Sequence, residues 1–190
     1  WETYLLISEG LNGRHVRLTY DRGTLEFMTI SAEHGRLCRF FQQLIVALTD
    51  ELELPLVCFG DMTCRRKSTQ RGLEPDECFY VASASLVQGK SEFDLEVDPP
   101  PDLAIEVDLS RPRRDRLDVY SGIGVPEVWT FDGTTLVGHG LDGDEYCPIE
   151  TSRSFPTLRV ADLLPFVERR HTADDRSIVR SFQKWFREAK

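Results

Sequence analysis

The sequence predicts an α/β domain of the mixed α+β kind, with a central mixed β-sheet flanked by helices. Three observations carry this. His15–Tyr20 alternates polar and apolar residues, and Thr24–Ile30 returns after Asp21-Arg22-Gly23, the pattern of a β-hairpin. Leu37, Phe40, Phe41, Leu44, Ile45 and Leu48 recur at helical spacing. Leu103-Ala104-Ile105-Glu106-Val107 is a nearly continuous apolar run, which suits a strand buried on both faces.

The other elements fall around these. Residues 1–10 pattern as a helix, with Trp1, Tyr4, Leu5 and Ile7 on one side. Ser31 suits the N-cap of the long helix, and Pro55 limits its far end. Leu56–Phe59 and Cys78–Val81 are short apolar strands. Residues 91–100 are acidic and run into Pro99-Pro100-Pro101, a stiff extended approach to the central strand. Asp115–Ser121 is predicted helical, ending near Gly122 and Gly124. Glu127–Phe131 and Leu136–His139 follow as strands, and Glu145–Ile149 as an edge strand. From Val160 onward one or two helices are expected, with Phe182, Trp185 and Phe186 as packing residues. No repeat and no long linker divides the chain, so residues 1–190 are taken as one domain with a helical tail at about 160–190.

Composition narrows the function classes. The chain has 190 residues, 41% apolar and 29% charged, enough for a proper core. No apolar run approaches the length of a bilayer span, so no membrane partner is expected. Cys38, Cys58, Cys64, Cys78 and Cys147 lack the close spacing of a zinc knuckle, which points to reduced thiols and a cytoplasmic location. The net charge of −9 argues against an indiscriminate polyanion binder. Two basic clusters stand against that background, Arg65, Arg66, Lys67 and Arg71, and then Arg111, Arg113, Arg114 and Arg116. Either they are solvated faces, or they border an acidic site and hold a nucleic acid.

Glu106 is the informative residue, because every neighbour in its run is apolar. A carboxylate on a buried strand costs several kcal/mol unless it is paired or binds a metal. It is either paired with an arginine such as Arg116 or it is a metal ligand. Asp76, after Pro75 at the entry to a strand, is either a turn residue or a second ligand to the same divalent ion. Asp108 shares a face with Glu106 at i+2, as a third ligand or a residue leaving the strand. Glu33 lies in the first turn of the long helix, where it complements the helix dipole or assists metal binding. His34 beside it is a ligand or an ordinary part-buried histidine.

Several stretches together resemble the bacterial Uma family of restriction endonucleases, within the PD-(D/E)XK nuclease superfamily. They are Gly72-Leu73-Glu74-Pro75-Asp76-Glu77-Cys78-Phe79-Tyr80, Pro99 through Asp108, Asp118-Val119-Tyr120 running into Gly124-Val125-Pro126-Glu127-Val128-Trp129, and the early Ser31-Ala32-Glu33-His34. The resemblance spans roughly residues 1 to 165. It implies a restriction-endonuclease-like fold and Mg²⁺- or Mn²⁺-dependent cleavage of DNA, often by a homodimer. It makes Asp76 and Glu106 the motif acids and Glu33 the assisting glutamate of the N-terminal helix.

The lysine expected two residues after the motif acid is replaced by Asp108. Arg116, at a position where many members carry a basic residue, is the expected phosphate contact, and Lys67 is another substitute. Arginine stays charged and cannot act as a general base near neutral pH. Three readings follow. The chain is a metal-dependent endonuclease with Asp76, Glu106, Asp108 and Arg116 as its catalytic set, a nucleic-acid-binding or regulatory protein on the same fold, or a structural homodimer with a buried Glu106–Arg116 pair.

Overall fold

The computed structural model describes residues 1–11, 16–60, 62–109 and 116–189. The first helix, α1 (Glu2–Leu11), lies against the hairpin of β1 (Val16–Asp21) and β2 (Thr24–Thr29). Arg22 and Gly23 make its two-residue turn with φ of 44° and 95°, the left-handed pair that matches the strand twist. The expected first strand residue His15, together with Arg111, Arg113, Arg114 and Asp115, lies outside the described residues.

Helix α2 (Ala32–Leu52) starts at Ser31, whose hydroxyl accepts from His34 N at 3.1 Å. It stops at Glu53 in the left-handed region, before Pro55. Its apolar stripe packs on β7 (Leu103–Val107) and on the C-terminal helix α6 (Asp175–Ala189), so one core joins Phe41, Leu44, Leu48, Ile105, Trp129 and Phe182. Phe182 and Phe186 are buried in that core, as their packing role requires.

The expected central mixed sheet is present, and a second, smaller sheet that was not expected adjoins it. The larger has the order β10-β9-β8-β7-β6-β3, with β3 (Val57–Cys58), β6 (Glu77–Tyr80), β8 (Glu127–Phe131), β9 (Leu136–Asp142) and β10 (Glu145–Ile149) around β7. Only its β7–β8 pair is parallel. That pair needs a crossover, which runs through α4 (Arg116–Ile123). The smaller sheet has the order β2-β1-β5-β4. Its strands β4 (Cys64–Arg66) and β5 (Arg71–Leu73) arise in the basic stretch, where three-residue strands are too short to show an alternation.

The two sheets meet between β5 and β6, at Glu74-Pro75-Asp76. Close approaches knit the smaller sheet to its neighbours. A side chain on Gly72 would collide with the Tyr4 ring, and Arg71 reaches over α4 to Asp118 at 2.8 Å. Near the other end, the short helix α3 (Ala84–Val87) precedes the acidic loop, and α5 (Leu164–Glu168) precedes α6.

Candidate metal centre between two sheets

Strand register brings the two motif acids together. Strands β6 and β7 are antiparallel, with Glu77 opposite Ile105 and Cys78 opposite Ala104. One step further along, Asp76 falls opposite Glu106, where facing side chains stand about 5 Å apart at Cβ on one face. The backbone N–H of Val107 donates to Asp76 Oδ2 at 2.8 Å and locks that register. Both carboxylates are buried, with side-chain exposures of 0% for Asp76 and 1% for Glu106.

Each carboxylate is tethered through one oxygen. Asp76 Oδ2 accepts from Val107 N and faces His34 Nε2 at 3.0 Å. Glu106 Oε1 receives Arg116 Nη2 at 3.1 Å and the hydroxyl of Tyr120. Helix α4 supplies both groups from one face, because residues i and i+4 are neighbours on a helix. The remaining oxygens, Asp76 Oδ1 and Glu106 Oε2, are buried and accept no hydrogen bond among the described residues. A buried acceptor without a donor carries a desolvation cost of roughly 1–3 kcal/mol, more if charged. Two of them on facing carboxylates, both hard oxygen donors, fit a small divalent cation.

The electrostatics follow from burial. Desolvation pushes Glu106 up to about 8, against the pull of Arg116 and Tyr120 and with the push of Asp76 and Asp108. Burial also raises Asp108, with Arg116 opposing and Asp76 adding. For Arg116 burial works towards deprotonation, but Glu106, Tyr120, Asp76 and Asp108 together outweigh it and the guanidinium stays charged. Tyr120 is held protonated by burial and by Glu106, so it acts as a donor.

His34, Cys38 and Asp76 offer a second possible metal group, with ligand atoms within 4.8 Å of one another. Its hydrogen bonding argues otherwise. The His34 ring uses Nε2 on Asp76 and Nδ1 on Cys38 Sγ, at 3.6 Å, and one ion cannot sit on both edges of the ring. Burial also raises the Cys38 thiol, with Asp76 and Glu77 adding to the rise. The trio is a relay in which α2 orients Asp76.

The other sequence candidates scatter. Asp108 is half-buried at the end of β7, with its N–H on Phe131 O at 2.8 Å, within electrostatic reach of Asp76. Glu33 is exposed, one residue from His34 on α2, and lines a depression of about 340 Å³ with Arg36, Arg170 and His171. The structure does not bring it to Asp76; successive helical residues point about 100° apart. Arg116 was expected to face a phosphate, yet it is 7% exposed and holds Glu106 and Glu74 O.

The first basic cluster splits by strand alternation. Arg65 and Lys67 are exposed, and Arg66 donates to Leu95 O at 3.0 Å. Arg71 is buried in a network with Asp21 and Asp118, which a solvent-facing phosphate contact cannot be. Sequence reasoning missed Arg17, whose Nε lies 3.9 Å from Asp76 Oδ1, and the roles of Tyr120 and Cys38. For Tyr120 a signal existed in its helical spacing from Arg116.

Comparison with known proteins agrees with this architecture. Residues 1–174 match the model of the Uma2 family, whose description is "Putative restriction endonuclease". No curated protein matches. Among solved structures, the chain is similar to a protein from Anabaena variabilis ATCC 29413 described as a "putative nuclease belonging to DUF820". The TM-score is 0.53 at 15% identity, covering 79% of this chain and 90% of that one, a likeness of fold.

Proposed function

This chain belongs to the Uma2 family, and from that membership we propose that it is a nuclease that hydrolyses DNA phosphodiester bonds with Mg²⁺ or Mn²⁺ held by Asp76 and Glu106. The supporting observation is the pair of facing carboxylates, each tethered through one oxygen, while the other accepts no hydrogen bond among the described residues. When bound, the ion supplies an activated water and positive charge beside the phosphodiester.

The protein's own groups set the geometry. Val107 N and His34 fix Asp76, and Arg116 and Tyr120 fix Glu106, so neither ligand has to reorganise. Asp108, half-buried at the strand end, is positioned as the carboxylate nearest to solvent. The exposed Arg65 and Lys67 are the members of their cluster free to meet a nucleic-acid backbone.

Conversion of supercoiled plasmid to nicked or linear form with Mg²⁺ or Mn²⁺ tests the proposal. Glu106→Ala abolishes cleavage on this account, and activity that survives it unchanged refutes the assignment.

One observation favours a second reading, a nucleic-acid-binding protein that does not cut. Asp108 occupies the motif lysine position, and Arg116 is committed to Glu106. Binding of Mn²⁺ and DNA without nicking by the wild type would select that reading.

A further inference from the structure

We propose that the depression between α2 and the turn Arg169–His171 takes a backbone phosphodiester of the nucleic acid, next to the one at the metal, with Arg170 as its main contact. This rests on the nuclease reading above. The depression holds about 340 Å³, and Glu33 and His171 on its rim are exposed, so it is open to solvent. Its lining sets one carboxylate, Glu33, against Arg36, Arg170 and His171. The first turn of α2, a helix of 21 residues, adds the positive end of its dipole.

Arg170 is the informative residue. Its guanidinium lies half-buried over the Phe131 ring, 5.6 Å from the centroid, and Nη1 donates to Val167 O at 3.1 Å. Nε is buried without a hydrogen-bond partner, and no carboxylate pairs with the group among the described residues. Arg36, across the same depression, is held by Asp175 at 2.8 Å and by Arg170 O at 3.1 Å. A partly desolvated cation without a counter-ion is costly, and an anion in the depression supplies one. His171 likewise makes no ion pair among the described residues.

Two connections set the depression beside the metal centre. Glu33 precedes His34, whose ring faces Asp76 Oδ2 at 3.0 Å. Phe131, beneath Arg170, pairs in register with Val107, whose N–H donates to the same oxygen. A strand with one phosphate at the metal can therefore lay a neighbouring phosphate against Arg170, whose planar fork of donors suits it.

The experiment measures binding of a short labelled DNA duplex by fluorescence anisotropy across a range of salt, with Ca²⁺ in place of Mg²⁺. It compares wild type, Arg170→Gln, Arg170→Lys, His171→Glu and Arg187→Gln. Arg187 pairs with Glu51 at the far end of α2, about 27 Å along the helix from Glu33, and serves as the control for net charge. Arg170→Gln is expected to bind at least about tenfold more weakly and to lower the slope of log affinity on log salt by about one. Arg170→Lys should recover part of both, and Arg187→Gln should match wild type. His171→Glu, a change at an exposed position, puts a second carboxylate into the depression and should weaken binding by a similar factor. Mn²⁺ binding by calorimetry should stay within about threefold of wild type throughout. Wild-type duplex affinity and salt slope in a folded Arg170→Gln, or in His171→Glu, overturn the proposal. So does an equal loss in Arg187→Gln, which is an effect of net charge, or loss of Mn²⁺ together with DNA, which makes Arg170 a support of the metal centre. Calorimetry with inorganic phosphate separates a free anion from a strand: phosphate binding that needs Arg170 while duplex binding does not also overturns it. A wild type that binds the duplex through Arg170 yet leaves plasmid intact with Mg²⁺ or Mn²⁺ refutes the nuclease reading alone, and one that binds no duplex refutes both.

Discussion

Replacing Glu106 with glutamine should change how stability depends on pH more than it changes the fold. The amide has the same shape, and its oxygen can still accept from Tyr120 and Arg116. It cannot ionise. In the wild type without metal, the Glu106 carboxyl titrates near 8 when folded against 4.5 as the ordinary value. Between those values the folded state retains a proton that the unfolded chain has released. Stability from this group is therefore full below pH 4.5 and is lost as pH rises towards 8. At about 1.4 kcal/mol per pH unit, the fall over that window is at most about 5 kcal/mol. Glu106→Gln lacks this decline, and below about pH 8, where Glu106 keeps its proton in the folded state, the swap removes no charge from beside Arg116. Urea denaturation from pH 5 to 9, with metal removed by chelation, reads the difference. The wild-type free energy should fall relative to the variant as pH rises, and saturating Mn²⁺ should restore the wild type alone. Parallel pH profiles for the two proteins would refute the reasoning.

Other predictions follow from the same contacts. Tyr120→Phe and His34→Ala each remove a group that orients a carboxylate, and each should weaken Mn²⁺ binding about 10- to 100-fold by calorimetry while the fold persists by circular dichroism. Arg71→Ala should lower unfolding free energy by roughly 3 kcal/mol, since it strips the buried Asp21 of its partner on β5, whereas Arg65→Ala and Lys67→Ala should leave stability within about 0.5 kcal/mol and flatten the salt dependence of DNA binding. Phe182→Ala should cost about 3–5 kcal/mol in the same denaturation assay, because that ring is fully buried between α2 and α5.

The strands and helices with enough length to show a period were legible in the sequence. The hairpin turn, the Ser31 cap and the double-sided burial of Leu103–Val107 follow from local chemistry. Glu106 was conspicuous because a charge in an apolar run demands compensation. The arginine-paired reading of it is in the geometry, where Oε1 meets Arg116, while Oε2 accepts no hydrogen bond among the described residues. What stayed illegible depends on distance along the chain. Arg17 is an ordinary strand residue until the β1–β5 pairing carries it to Asp76, and that pairing uses a three-residue strand with no pattern of its own. Likewise the four charges Arg65, Arg66, Lys67 and Arg71 look alike in sequence, and only the fold separates the buried one from the exposed ones.

The central claim is that the bare oxygens of Asp76 and Glu106 share one divalent ion. A crystal soaked in Mn²⁺ and measured at an anomalous wavelength tests it directly. The account predicts one anomalous peak within about 2.0–2.3 Å of both Asp76 Oδ1 and Glu106 Oε2, with His34 and Arg116 still on the opposite oxygens. A peak held by His34 and Cys38 instead, or no peak between the two carboxylates at saturating Mn²⁺, would contradict it.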